Sequence, residues 1–272
     1  MAFFTMKLKS QSLCSTTTVR LYLPCDISDE RGSEVKGMMT LLHGFTNDGD
    51  DWVNYSAAIR YAADNGLALL IPDASNSFYH DTAAGQAYYT WITQEMPALL
   101  QKMVNLPWQR EKNVICGLSM GGYGALMIGM NNPHRYFGCA SFSGAVDLQM
   151  MLDAAATHPE VKTIFAPILG QSLYLAPDRD LMQLARQVSL LPAEQQPKIL
   201  CTVGRQDIEP YMIYPQNLRL KAHAQQLGLD FHYLEWNGKH EWSVWDRSLV
   251  HAIDLFFQPG YAAQKRQDWA TE

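Results

Sequence analysis

Five residues near the middle of the chain limit its fold more than any other feature. Gly117-Leu118-Ser119-Met120-Gly121 follows a short apolar run, residues 113–116, that reads as a buried strand. It opens an apolar stretch, residues 121–130, that reads as a helix closed by Asn131-Asn132-Pro133. A strand that turns straight into a helix leaves no room for Cβ atoms on either side of the turn, which is where the glycines stand. The turn lifts the serine hydroxyl above the sheet edge, and the helix amino end behind it favours developing negative charge. Gly122 and Gly124 extend the run of small residues.

The rest of the chain fits a sheet around that turn. Residues 19–23, 37–42, 67–71, 139–142, 199–203 and 231–236 read as further strands, and 51–64, 88–104, 215–227 and 241–257 as helices. In 88–104 the apolar positions keep a one-faced helical spacing, although Pro97 inside it predicts a kink or a later start. Strands alternating with helices predict an α/β fold, a mostly parallel twisted sheet with helices on both faces. With no linker or repeat, residues 1–258 read as a single domain and 259–272 as a polar C-terminal tail. Residues 147–196 contain no clear strand; they read either as an ordinary crossover or as a cap inserted over the carboxyl edge of the sheet.

Composition excludes some functions. The net charge of -6 argues against a nucleic-acid partner. No stretch approaches the roughly 18 to 20 apolar residues that span a bilayer, and the start lacks the pattern of a signal peptide. Five scattered cysteines without C-x-x-C spacing suit a reducing compartment, so a cytoplasmic location is expected. The sequence leaves the oligomeric state open, a homo-oligomer included.

A serine hydroxyl needs a base. Of eight histidines, His240 stands just after the last predicted strand, where a loop brings it over the sheet edge; His43 lies upstream, in a segment better suited to oxyanion binding. The third member should be a carboxylate at a strand end between Ser119 and His240. Asp207, in the turn Gly204-Arg205-Gln206-Asp207, fits, with Glu209 as its rival. Oxyanion donors are expected from the backbone N–H of Met120 and, in Leu41-Leu42-His43-Gly44-Phe45, of Phe45. His240-Glu241 does not continue to a second histidine, and no phosphate loop or dinucleotide fingerprint is present, so neither a metal nor a cofactor is expected. Cys116 reads as strand packing.

With these residues in view the chain resembles the esterase D-like α/β-hydrolases, nearest to bacterial tributyrin esterases, with S-formylglutathione hydrolases and feruloyl or acetyl-xylan esterases as wider relatives. The segments that carry the resemblance are Leu41 to Phe45, Pro72-Asp73 with Ser77-Phe78-Tyr79, Gly117 to Ala125, Ser143-Gly144 with Asp147, Gly204 to Asp207, and His240-Glu241-Trp242 with Trp245-Asp246. The resemblance implies Ser119, Asp207 and His240 as triad, Phe45 and Met120 as oxyanion donors, and cofactor-free hydrolysis of small acyl esters. By analogy Asn76, Ser77, Tyr79, Tyr88 and Trp242 would line the substrate pocket. Leu118 stands where S-formylglutathione hydrolases often carry histidine, which tilts the expectation towards a short-chain carboxylesterase over a thioesterase or a feruloyl or acetyl-xylan esterase. A catalytically silent binding protein on the same scaffold is disfavoured, since no triad member is missing.

Overall fold

The computed structural model describes residues 1–25 and 35–270. A hairpin of β1 (Ala2–Ser10) and β2 (Ser15–Leu23) leads to β3 (Gly37–Leu42), α1 (Asp50–Asn54), α2 (Ala58–Asn65) and β4 (Leu67–Pro72). Next, α3 (Tyr88–Thr90) passes through a π-helical turn, Trp91–Glu95, into α4 (Met96–Leu100). Then come β5 (Asn113–Leu118), α5 (Met120–Asn131) and β6 (Gly138–Phe142). Three helices, α6 (Leu148–Asp153), α7 (Pro159–Leu169) and α8 (Leu181–Ser189), precede β7 (Lys198–Gly204). The chain closes with α9 (Ile213–Gln226), β8 (Phe231–Trp236), α10 (Trp242–Phe256) and α11 (Tyr261–Ala270).

The strands form one sheet in the order β1-β2-β4-β3-β5-β6-β7-β8. β3 to β8 pair in parallel, while β2 runs antiparallel to both β1 and β4. Every residue of β3, β4 and β5 is buried, as central strands covered on both faces require. Neighbouring residues divide between two apolar clusters: Met38, Ile115 and Ile199 pack with α5 and α8, whereas Met39, Val114 and Leu200 pack with α2 and α10.

Four segments differ from the sequence expectation. The helix expected over 51–64 breaks at Tyr55, because Asp246 accepts the Ala57 N–H at 2.7 Å and α2 restarts behind it. The helix expected over 88–104 widens into the π turn just before Pro97. Proline has no N–H to give the Thr93 carbonyl, and the Arg135 guanidinium takes that acceptor instead. β1 lacks a strand signature in the sequence because its exposed positions carry Phe3 and Phe4, which blurs the alternation of a half-buried edge strand. The tail expected over 259–272 carries α11, with Tyr261 buried and donating to Asp64 at 3.0 Å; its last two residues lie outside the described ones.

Residues 147–196 contain no strand: α6 and α7 bring Met151, Ile164 and Phe165 beside Ser119, while α8 packs against α5 and α9. Tyr123 of α5 donates to the Arg179 carbonyl at 2.6 Å, and Asn131 to the Asp178 carbonyl at 2.7 Å. Because the Tyr123 proton is spent on Arg179, His80 Nε2, 2.7 Å from the same hydroxyl, must be the donor of that pair. Burial, with the Arg179 charge adding to it, pushes the His80 pKa from 6.5 down to about 3. Between those values the unfolded chain binds a proton that the folded chain refuses, so stability should fall as pH drops through that range. Thermal unfolding from pH 7.5 to 5 should show this loss in wild type and a shallower slope in His80→Gln; equal slopes would remove His80 as the cause.

Candidate active site

Ser119 sits at the junction of β5 and α5 with φ 55° and ψ -119°, a conformation that L-residues rarely adopt. A Cβ on Gly117 would strike the Gly121 backbone, and one on Gly121 would strike the carbonyls of Leu42 and His43. The Ser119 N–H donates to the Phe142 carbonyl at 2.9 Å, and the Ser119 carbonyl accepts from the Gly122 N–H at 3.0 Å. These contacts fix the residue from both sides.

Two loops bring the partners. Asp207 closes the turn after β7, its N–H donating to the Gly204 carbonyl at 3.1 Å; His240 stands between β8 and α10. The loops are laced together: the Gln206 N–H donates to the Gly238 carbonyl at 3.1 Å, and Gln206 Oε1 accepts from the Gly238 N–H at 2.6 Å. His240 Nδ1 lies 2.7 Å from Asp207 Oδ2, and His240 Nε2 lies 2.8 Å from Ser119 Oγ. With a carboxylate on one side, the proton belongs on Nδ1, which leaves the Nε2 lone pair for the serine hydroxyl. The Asp207 side chain is 3% exposed, that of His240 30%. Trp245 packs against the imidazole at 5.0 Å between ring centres. Glu209, the rival carboxylate, is exposed at the surface.

The loop after β3 is held just as tightly. His43 is buried, and its Nε2 accepts the Ala74 N–H at 2.9 Å, so its proton is on Nδ1, 2.8 Å from the Gly44 carbonyl. Burial lowers the His43 pKa, keeping the neutral ring that this double role needs. In a trans peptide the carbonyl and the next N–H point oppositely. The Gly44 carbonyl faces His43, so the Phe45 N–H faces away from it.

Ser119, His240, Phe45 and Met120 all border one cavity of about 240 Å³. Phe45, Phe78, Met151, Ile164, Phe165 and Ile213 make its walls apolar, and Thr46 and Tyr211 add polar atoms. The rings of Phe45, Phe78 and Phe165 form a continuous row, with centres 6.0 and 4.8 Å apart. Phe78 and Phe165 are almost wholly buried, whereas Tyr211 is 49% exposed, so the phenylalanines close the inner end and Tyr211 stands at the mouth.

None of the five residues expected to line the pocket borders this cavity. Ser77 is buried, its Oγ accepting the Tyr79 N–H at 3.0 Å; Tyr79 is fully buried and donates to the His43 carbonyl at 2.8 Å. Tyr88 packs against the core at the start of α3. Trp242 turns away to a separate open cleft with Tyr55 and Arg60. Asn76 is exposed beside the cavity and accepts the Thr46 N–H at 2.7 Å. The walls supplied by Met151, Ile164 and Phe165 come instead from α6 and α7, for which the sequence offered no strand-end rule.

Burial pushes the Cys116 thiol well above its usual range, so it remains a protonated packing group. Among the described residues, no group of three or more His, Cys, Asp or Glu could hold a metal ion. No described helix is long and apolar enough to cross a membrane.

Residues 10–256 match the family model named Esterase. An acetyl esterase of Caldicellulosiruptor saccharolyticus is 27% identical over 269 residues, 93% of this chain and 97% of that protein. An S-formylglutathione hydrolase of Paracoccus denitrificans is 30% identical over 157 residues, 50% of this chain and 54% of that one. Among solved structures, FphF, a fluorophosphonate-binding serine hydrolase of Staphylococcus aureus, superposes with a TM-score of 0.81 at 24% identity. It covers 94% of this chain and 98% of its own, and the shared architecture is the α/β-hydrolase fold.

Proposed function

The chain belongs to the esterase family of serine hydrolases, and from that premise we propose a carboxylesterase that cleaves short-chain acyl esters through an acyl-enzyme on Ser119. The observation that carries the proposal is the unbroken chain from Ser119 Oγ through His240 to Asp207, at 2.8 and 2.7 Å, facing a small apolar cavity. His240 Nε2 takes the serine proton as Oγ attacks the ester carbonyl carbon. Asp207 holds the imidazole and stabilises the imidazolium. The N–H groups of Phe45 and Met120 receive the oxyanion. His240 then returns its proton to the leaving alcohol, and water repeats the sequence on the acyl-enzyme. No cofactor takes part. A cytoplasmic location suits the five cysteines, all of them free thiols.

The cavity sets the acyl preference. Its inner end is closed by Phe78 and Phe165, while the alcohol must leave within reach of His240, on the exposed side. Each acyl methylene that fits should add roughly 1 kcal/mol of transition-state binding, and one too many meets a packed wall. Values of kcat/KM on p-nitrophenyl esters should therefore rise from acetyl to butyryl and fall steeply by octanoyl. Tributyrin should be cleaved and long-chain triglyceride spared. Methyl ferulate and S-formylglutathione belong in the same panel. An optimum at decanoyl or beyond would refute the closed pocket, and a marked preference for either added substrate would replace the acyl class proposed here.

A further inference from the structure

We propose that Asn76 is a positioning residue for the oxyanion hole: it fixes the Phe45–Thr46 peptide, so that Phe45 presents its N–H to the cavity and Thr46 cannot. The inference rests on the ester-hydrolase reading above and assigns to Asn76 a role other than the pocket-lining one implied by resemblance.

Phe45 is flanked by two peptide units, and each is held by a side chain. The unit before it is held by His43, whose Nδ1 lies 2.8 Å from the Gly44 carbonyl. The unit after it is held by Asn76, whose Oδ1 accepts the Thr46 N–H at 2.7 Å. A planar trans peptide pinned at one polar atom has little freedom left at the other. Phe45 and Thr46 both border the cavity, so either N–H is a candidate donor by position. The bond to Asn76 occupies one of them. It leaves the N–H of Phe45, which the His43 bond turns away from the Gly44 carbonyl.

Asn76 belongs to a brace, and this explains its reach. The segment 74–79 after β4 grips the loop after β3 at three polar points: the Ala74 N–H on His43 Nε2 at 2.9 Å, the Tyr79 hydroxyl on the His43 carbonyl at 2.8 Å, and Asn76 on Thr46. The Phe78 ring adds an apolar contact with Phe45. Ser75, Phe78 and Tyr79 all have positive φ, at 45°, 49° and 61°, and on the gripped loop Thr46 has φ 66°. Backbone of this kind persists where its surroundings over-determine it, and such residues gather where geometry matters to function. Two of the three polar points are buried; the Asn76 bond is the exposed one, and of the three it alone reaches the Phe45–Thr46 peptide, whose carbonyl accepts from Thr46 Oγ1 at 2.6 Å.

A donor that is misaimed stabilises the tetrahedral state less but leaves ground-state binding alone. Asn76→Leu keeps the size and loses the acceptor. It should lower kcat on p-nitrophenyl butyrate about ten- to fiftyfold with KM within about twofold. Affinity for a boronic acid, which forms a tetrahedral adduct on Ser119, should weaken by a similar factor. Asn76→Asp restores an acceptor at the same reach and should recover most of the loss. Melting temperatures measured alongside separate positioning from mere folding. Unchanged kcat, a change confined to KM, a loss that follows melting temperature, or an Asp variant as poor as Leu would each overturn the inference. Wild-type activity together with an inactive Ser119→Ala variant secures the underlying reading, so a silent Asn76→Leu then refutes this inference alone. An inactive wild type refutes both.

Discussion

Ser119→Ala should remain folded and lose on the order of a million-fold in kcat, the loss seen when the nucleophile of a comparable triad is removed. The expectation follows from the geometry of the turn. Among the described serines, Ser119 alone combines a left-handed backbone at a strand-to-helix junction with a histidine nitrogen 2.8 Å from its hydroxyl. Initial rates on p-nitrophenyl butyrate measure the loss, circular dichroism checks the fold, and a fluorophosphonate probe should label wild type at Ser119 and spare the variant. Substantial turnover by a folded, pure Ser119→Ala protein would end the acyl-enzyme proposal.

Asp207→Asn should cost about 10⁴-fold in kcat. The amide can still fill the buried space beside the imidazole, but it cannot hold a proton on His240 Nδ1 as a carboxylate does, and the tautomer that presents a lone pair to Ser119 is no longer favoured. Glu209→Gln should change kcat by far less, because Glu209 is exposed at the surface. Comparing the two variants on one substrate decides the matter. A larger loss in Glu209→Gln would move the acid assignment to that residue.

The sequence displays the sheet well because most of its strands are apolar and end at recognisable turns. Residues 37–42 and 231–236 agree with β3 and β8 to the residue. Ser119, Asp207 and His240 are visible for the same reason, since each stands just beyond a strand and parallel strands deliver their carboxyl ends to one edge. What escapes is whatever depends on side-chain direction. Tyr79 lies beside Phe78 in sequence, yet one ring is buried beneath His43 and the other borders the cavity, because two successive positive-φ residues turn the chain between them. No spacing rule announces such a pair. Trp242 follows His240 by two residues, but as the first residue of α10 it packs edge-on against Trp52 and Trp245 instead of facing Ser119. Phe165 and Ile164 sit in a helix far from any strand end, and only the docking of α7 brings them to the serine.

That docking divides the molecule's labour in a way that bears on how it can change. Nucleophile, base, acid and the two candidate donors all stand at or just beyond the carboxyl ends of strands, whereas Met151, Ile164 and Phe165 come from a segment that contributes no strand. The segment is fastened to α5 by the bonds from Tyr123 and Asn131 to the carbonyls of Arg179 and Asp178, which any residue type at 178 or 179 can supply. Buried Leu148, Leu152 and Ile168 hold the segment to the core as well, but the cavity-facing Met151 and Ile164 take no part in those bonds and are only partly buried. A lineage could exchange the inner wall for one of another shape while inheriting the reactive centre intact, so diversity in acyl taste among such chains should concentrate in α6 and α7.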